Sequence, residues 1–216
     1  MYEFVRMLLM HTRECSNSEI ILIVGMMIAA YFVGNISPAT LIARAKGINI
    51  KEEGSGNAGT TNATRVLGKK AGATTLVIDV AKGMLVVLAG RLAAGDIGGM
   101  AMAIPVLLGH IWPVCFRFKG GKGVATAFGV MLMLDPRIGV TALIIVVLGV
   151  LIGRRMSVGS VVGCIALPFI TWYFMPEFLA DSIVMAALVL FKHRTNIVRL
   201  AKGEEDKISF DKLRSK

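Results

Sequence analysis

Ile20–Ala43 reads IILIVGMMIAAYFVGNISPATLIA, a stretch without one Asp, Glu, Lys or Arg. A helix rises 1.5 Å per residue, so about 20 such residues cross a hydrocarbon core of roughly 30 Å. A soluble helix would carry a charge every turn or two, so the run predicts a membrane span. It follows a mixed polar stretch, residues 1–19, and continues too long for the apolar core of a signal peptide, so it reads as a permanent anchor. Comparable runs follow at Ala71–Gly90, Ile97–Phe116, Gly123–Leu134, Ile138–Gly153, Met156–Met175 and Phe178–Phe191, giving seven hydrophobic segments. Gly123–Leu134 is too short to cross alone and must tilt, borrow flanking residues or stop part-way.

Composition agrees with lipid as the solvent: 55% of the chain is apolar and the mean hydropathy is +0.70, above what a soluble core needs. The formal charge of +10 raises nucleic acid as a partner, but Lys and Arg sit between apolar runs rather than along an amphipathic helix, which argues against it. Three cysteines, Cys15, Cys115 and Cys164, have no metal-ligand spacing, so no metal site is expected. The basic residues crowd alternate loops: Arg44 to Lys70, Arg117 to Lys122, Arg154 and Arg155, and the tail after Phe191. The positive-inside bias then predicts an all-α integral membrane protein of seven spans, N-terminus outside and C-terminus cytoplasmic. Residues 1–19 read as a polar extension, 20–202 as the membrane domain and 203–216 as a charged cytoplasmic tail.

The longest basic loop contains Gly54-Ser55-Gly56-Asn57-Ala58-Gly59-Thr60-Thr61-Asn62-Ala63-Thr64-Arg65. It matches G-x-G-x-x-G formally, but that fingerprint needs a βαβ unit, which membrane helices do not offer. What remains is an anion-binding composition: glycines that admit close backbone approach, hydroxyl and amide donors, and the guanidinium of Arg65. Phe116-Arg117-Phe118-Lys119-Gly120-Gly121-Lys122-Gly123-Val124-Ala125-Thr126 reads as a basic glycine-rich turn into a helix N-terminus, where phosphate is favoured. It lacks the P-loop spacing, and Lys122 stands where the helix dipole disfavours a cation, which points to a bound anion.

Asp79 and Lys82 lie on one face of the second segment, where an intramembrane charge is costly; mutual pairing is the reading preferred over catalysis. His11 reads as incidental, and His110 as a hydrogen-bonding residue within its helix or behind the site. His193, in His193-Arg194-Thr195-Asn196, shares a helix face with Asn196 at the cytoplasmic end of the last segment. Ser157 and Ser160 start the sixth segment on that same side, where either could cap the helix or face the site. The four clusters are rich in donors and poor in carboxylates, which suits metal-free recognition of phosphate. A transporter of phosphorylated solutes is the rival reading, but it would spread polar residues through the depth of the bundle.

Three of these segments, G-S-G-N-x-G-x-T-N-x-x-R, L-G-H…F-K-G-G-K-G-V-A-T and H-R-x-N, resemble in sequence and order the signature segments of the bacterial acyl-phosphate:glycerol-3-phosphate acyltransferases, over about Gly34 to Lys202. The resemblance implies a compact seven-helix bundle in the bacterial inner membrane with its active site at the cytoplasmic face. It implies acyl transfer from acyl phosphate to the 1-hydroxyl of glycerol 3-phosphate, giving 1-acylglycerol 3-phosphate as the first step of phospholipid synthesis, without cofactor. Membrane lipid and an enzyme supplying acyl phosphate are the further partners to expect. Ser55, Lys122, His193 and Asn196 become the expected catalytic residues. Gly54, Gly56, Asn57, Thr61, Asn62, Arg65, Gly120, Gly121 and Ser160 become the expected substrate-binding set. Asn35 departs from the serine common in relatives. No H-x-x-x-x-D follows any histidine, which separates this chain from the other common glycerolipid acyltransferases.

Overall fold

The computed structural model describes residues 16–208, and every regular element among them is helical. Helix α1 spans Asn17–Gly34 and opens on a capping box, the Ser16 hydroxyl accepting from Glu19 N–H while the Glu19 carboxylate accepts from Ser16 N–H. Ser16 to Glu19 therefore belong to the first helix rather than to a separate extension; residues 1–15 lie outside the described residues. The apolar run that predicted one span is broken after Gly34, and α2 restarts at Pro38–Ala45. Proline has no N–H to continue the ladder, and the freed carbonyls of Gly34 and Ile36 accept from Lys82 Nζ, at 3.1 and 2.8 Å.

Helix α3 (Thr60–Leu67) lies on the basic side and leads into α4 (Lys69–Ala101), whose backbone leaves helical geometry at Ala94 and Gly95. That break is the turn expected around Asp96, so the second and third segments meet there. Next come α5 (Ala103–Ile111), α6 (Val124–Leu134), α7 (Pro136–Gly153), α8 (Met156–Phe174), α9 (Leu179–Lys192) and α10 (Arg194–Ala201). Asn17–Ala45, Pro136–Gly153 and Met156–Phe174 are long and apolar enough to cross a bilayer by themselves, whereas Ala103–Phe116 and Val124–Leu134 are shorter apolar stretches. Seven spans in all remains an expectation.

The outer surface carries the apolar residues: Ile21, Val77, Leu92, Ile152, Phe169 and Tyr173 are all exposed. Between lipid-facing helices apolarity offers no net drive, so packing depends on close backbone approach. Glycines supply it: a Cβ on Gly34 would lie 2.9 Å from Gly109 Cα, and one on Gly149 would lie 2.9 Å from Gly159 Cα. Helix α4 is the axis, touching α1, α2, α3, α5 and α6, and its inward face carries Thr75, Asp79, Lys82 and Val86 at helical spacing. Lys82 Nζ lies 2.8 Å from Asp79 Oδ1 and 2.9 Å from His110 Nδ1, with all three side chains buried. The pair expected from sequence is thus a triad, and its cation also holds the α1–α2 break.

Candidate active site

The first basic loop is shaped from inside by Asn62. Its carboxamide is buried, donates to Glu53 O (3.0 Å) and Ile50 O (3.4 Å), and accepts from Ser55 N–H (2.9 Å). Both polar atoms of the Asn62 carboxamide are thus engaged within the loop. Gly54 and Gly56 have φ of +60° and +67°, the left-handed region that admits glycine without strain. These turns leave Ser55 exposed at the tip, with Asn57 partly covered and Thr61 exposed. Arg65, in the last turn of α3, is 47% exposed and pairs with Asp206 at 3.1 Å.

The second loop folds back along the end of α5. Gly121 N–H donates to His110 O (3.1 Å) and Gly120 N–H to Ile111 O (3.2 Å). Both N–H groups are thus engaged by the end of α5. Gly120 and Gly121 are glycines because of what they touch: a Cβ on Gly121 would drive into the His110 ring, 2.8 Å from Cε1. The buried triad thus backs the loop directly. Gly123, at φ +94°, turns the chain into α6 and presents Lys122, whose Nζ donates to Asn196 Oδ1. Burial pulls Lys122 down to about 8; the Glu205 carboxylate opposes this, while Arg199 and Lys192 add to it. The two loops are tied by Lys51, whose Nζ donates to Gly120 O at 3.2 Å.

His193 and Asn196 both face inward where α9 gives way to α10. His193 Nδ1 lies 2.8 Å from Val189 O. A carbonyl can only accept, so Nδ1 carries the proton and Nε2 presents a lone pair. Burial lowers His193 to about 4, against the Val189 hydrogen bond that raises it, so the ring is neutral near pH 7. Asn196 Nδ2 donates to Glu205 Oε1 (2.7 Å), Arg199 Nε donates to Glu205 Oε2 (2.8 Å), and Arg155 Nε donates to Glu205 O (2.9 Å). Burial pushes the Glu205 carboxyl up, but these side-chain hydrogen bonds outweigh it and hold it below the ordinary range.

Glu205 was missed by sequence reasoning, which set residues 203–216 aside as a tail. Residues 204–208 pack back on the bundle, with Glu204 N–H on Arg199 O and Ile208 N–H on Arg154 O, both 2.8 Å. The available signal was Glu204-Glu205-Asp206, an acidic cluster in a basic region. Ser160 and Ser157 lie inside α8, which starts at Met156 and is N-capped by Arg155, so neither caps it. Ser160 Oγ donates to Met156 O at 3.1 Å, and Ser160 lines an apolar groove of about 90 Å³ with Val124, Met131, Leu143, Met185 and Val189. Val124 and Val189 in its lining lie two residues from Lys122 and four from His193, so the groove runs beside the polar cluster. The fold therefore brings Lys122, His193 and Asn196 together, with Ser160 in the wall of the groove beside them. Arg65 faces them through the Glu205-Asp206 segment, and Ser55 stands on the loop that Lys51 joins to Gly120.

The chain is similar to known proteins over most of its length. The family described as glycerol-3-phosphate acyltransferase matches residues 24–203. A glycerol-3-phosphate acyltransferase of Shewanella woodyi is 42% identical over 87% of this chain and 94% of its own, and one of Pectobacterium carotovorum is 43% identical over 89% and 92%. A crystal structure of PlsY, an integral membrane glycerol 3-phosphate acyltransferase, in its glycerol 3-phosphate form superposes with a TM-score of 0.85 at 33% identity, covering 90% of this chain and 99% of that one. The same protein in its lysophosphatidic acid form gives 0.81 at 34% identity, covering 87% and 95%. The chain belongs to the glycerol-3-phosphate acyltransferase family.

Proposed function

We propose that this protein transfers a fatty acyl group from acyl phosphate to the 1-hydroxyl of glycerol 3-phosphate, at the cytoplasmic face of the bacterial inner membrane. The observation that carries this reading is a cation, Lys122, held by Asn196 beside an apolar groove lined by the bundle helices. A substrate with an anionic head and a long apolar chain fits such a junction. Two phosphorylated substrates need several cations, and Lys122 and Arg65 are the candidates at these loops.

In the proposed reaction the glycerol oxygen attacks the acyl carbonyl carbon, the carbonyl–phosphate C–O bond breaks, and inorganic phosphate departs. Acyl phosphate is an activated mixed anhydride, so positioning and charge stabilisation are the main demands on the protein. Lys122 would stabilise the developing phosphate charge, Ser55 and Asn196 would orient the reacting groups, and Arg65 would hold the second phosphate. His193, with Nε2 free and its pKa about 4, is a weak base near pH 7 and suits orienting the hydroxyl. A phosphate oxygen, with a pKa near 6 for its second ionisation, is the better proton acceptor.

The test is purified protein with palmitoyl phosphate and glycerol 3-phosphate in EDTA, following phosphate release and 1-acylglycerol 3-phosphate. Turnover requiring both substrates, reduced roughly 100- to 1,000-fold by Lys122→Ala, supports the reading. Folded protein that gives no product from acyl phosphate, yet uses another acyl donor, would reject the proposed donor.

A further inference from the structure

Against residues 48–52, whose Lys51 also reaches Gly120, lies a second cavity of about 390 Å³. It is lined by Arg44 of α2, by Lys51 and Glu52, and by Phe116, Arg117 and Lys119 of the second loop. None of these belongs to the expected site residues. Four cations face one carboxylate, and that carboxylate is engaged, since Glu52 Oε1 accepts from Asn49 Nδ2 at 2.6 Å. Among the described residues none of the four cations has a carboxylate partner. Arg44 is instead steadied over the Phe116 ring, 5.0 Å from its centroid.

The backbone here is bent at a cost. Arg117 and Phe118 take φ of 54° and 59°, the left-handed region, although both carry a Cβ. Phe118, turned out by this bend, is 57% exposed beside the basic wall. Strain kept in a loop at a functional face is a pointer to what the loop presents. Like charges are also crowded: burial lowers Lys51 to about 8, and Lys192 and Lys119 lower it further. An anion would relieve that repulsion.

We infer that this cavity is a second anion site, separate from the site of chemistry, that takes a phosphate group. The group is supplied by free phosphate or a small phosphate monoester, or by the headgroup of an anionic lipid. Guanidinium and ammonium donors from two loops and α2 surround it, as charge-assisted recognition of phosphate requires. Lys51 connects it to the chemistry, because the ammonium that lines the cavity also donates to Gly120 O of the catalytic loop.

The test is equilibrium dialysis of the delipidated full chain in zwitterionic detergent against radiolabelled inorganic phosphate. The wild type is expected to hold two equivalents. Arg44→Gln/Arg117→Asn, in which Asn tolerates the left-handed turn, should bind one of them roughly ten-fold or more weakly. Lys119→Gln, which leaves the turn's strained residues in place, should weaken the same equivalent, and Lys122→Ala should lose the other. Binding by the double variant indistinguishable from wild type, or a single equivalent abolished only by Lys122→Ala, would overturn the inference. A single equivalent abolished only by the cavity variants would uphold it while counting against Lys122 as a phosphate ligand. In nanodiscs, loss of the cavity's equivalent when phosphatidylglycerol replaces phosphatidylcholine identifies a lipid headgroup; its retention identifies free phosphate.

Discussion

Two lysines of this chain sit at opposite extremes of satisfaction. Lys82, inside the bundle, has the Asp79 carboxylate, the His110 ring and the carbonyls of Gly34 and Ile36 within 3.1 Å of its ammonium. Lys122, at the loop face, has the carboxamide of Asn196 and, among the described residues, no carboxylate in direct contact. The first is a structural keystone because the protein supplies every partner; the second is available to substrate because the protein withholds them. The end of the bundle away from the loops follows the first pattern: Arg91 pairs with Asp96 at 2.9 Å and donates to Met133 O and Leu134 O, and Arg137 pairs with Asp135 at 2.6 Å. Uncompensated charge is concentrated on one face.

Breaking the satisfied cluster should have the largest effect. Lys82→Met strands the buried Asp79 carboxylate and is expected to cost about 3–5 kcal/mol, seen as a steep loss of folded protein on heating in detergent. Asp79→Leu/Lys82→Met should recover much of it; a double variant as unstable as the single one would show that the two do not act as a pair. Next is Gly121→Ala, which pushes a methyl group into the His110 ring for roughly 1–3 kcal/mol. Because Lys122 follows directly, turnover should fall further than the melting temperature alone accounts for.

A smaller effect separates the faces by pH. Burial lowers Lys122 to about 8, so its ammonium is present below that pH and lost above it. The kcat/KM for acyl phosphate should therefore fall as pH rises through about 8, toward ten-fold per unit. The limb in kcat should lie higher, since bound phosphate favours the charged lysine, and Lys122→Arg should remove it. A flat profile from pH 7 to 10 would show that Lys122 does not hold the substrate anion. The smallest effect is His193→Gln, which keeps a hydrogen-bonding side chain without titrating. With His193 lowered to about 4, the imidazole is neutral from pH 5 upward. Activity should drop less than about ten-fold, and no limb near pH 6.5 should distinguish the two proteins; a limb present only in wild type would make His193 the base.

The sequence was most informative about elements whose cause is local. The uncharged run at Ile20–Ala43 and the short apolar stretch at Gly123–Leu134 follow from residue type alone, because lipid exposure selects composition. His193 and Asn196 could be placed near each other by their spacing, although His193 caps α10 at the break after α9 rather than sharing a continuous helix with Asn196. Loop interiors were harder to read. Asn62 looked like a substrate ligand because a carboxamide among glycines suits an anion, yet its partners are the carbonyls of Ile50 and Glu53, which only folding brings near. Gly120 and Gly121 looked like a cradle, but α5 takes their N–H groups.

What the sequence determined by itself is that this chain is a multi-helix membrane protein, with basic, glycine-rich, donor-bearing loops, and which family it resembles. Apolarity over about 20 residues and short-range spacing need no tertiary information. The tertiary structure alone decided which charges are consumed and which remain available: Lys82 and His110 meet from 28 residues apart, Lys122 and Asn196 from 74, and Glu205 returns to Asn196 after the chain seemed to have left the bundle. Electrostatic satisfaction is a property of distance in space, and neither composition nor spacing along a chain encodes it directly.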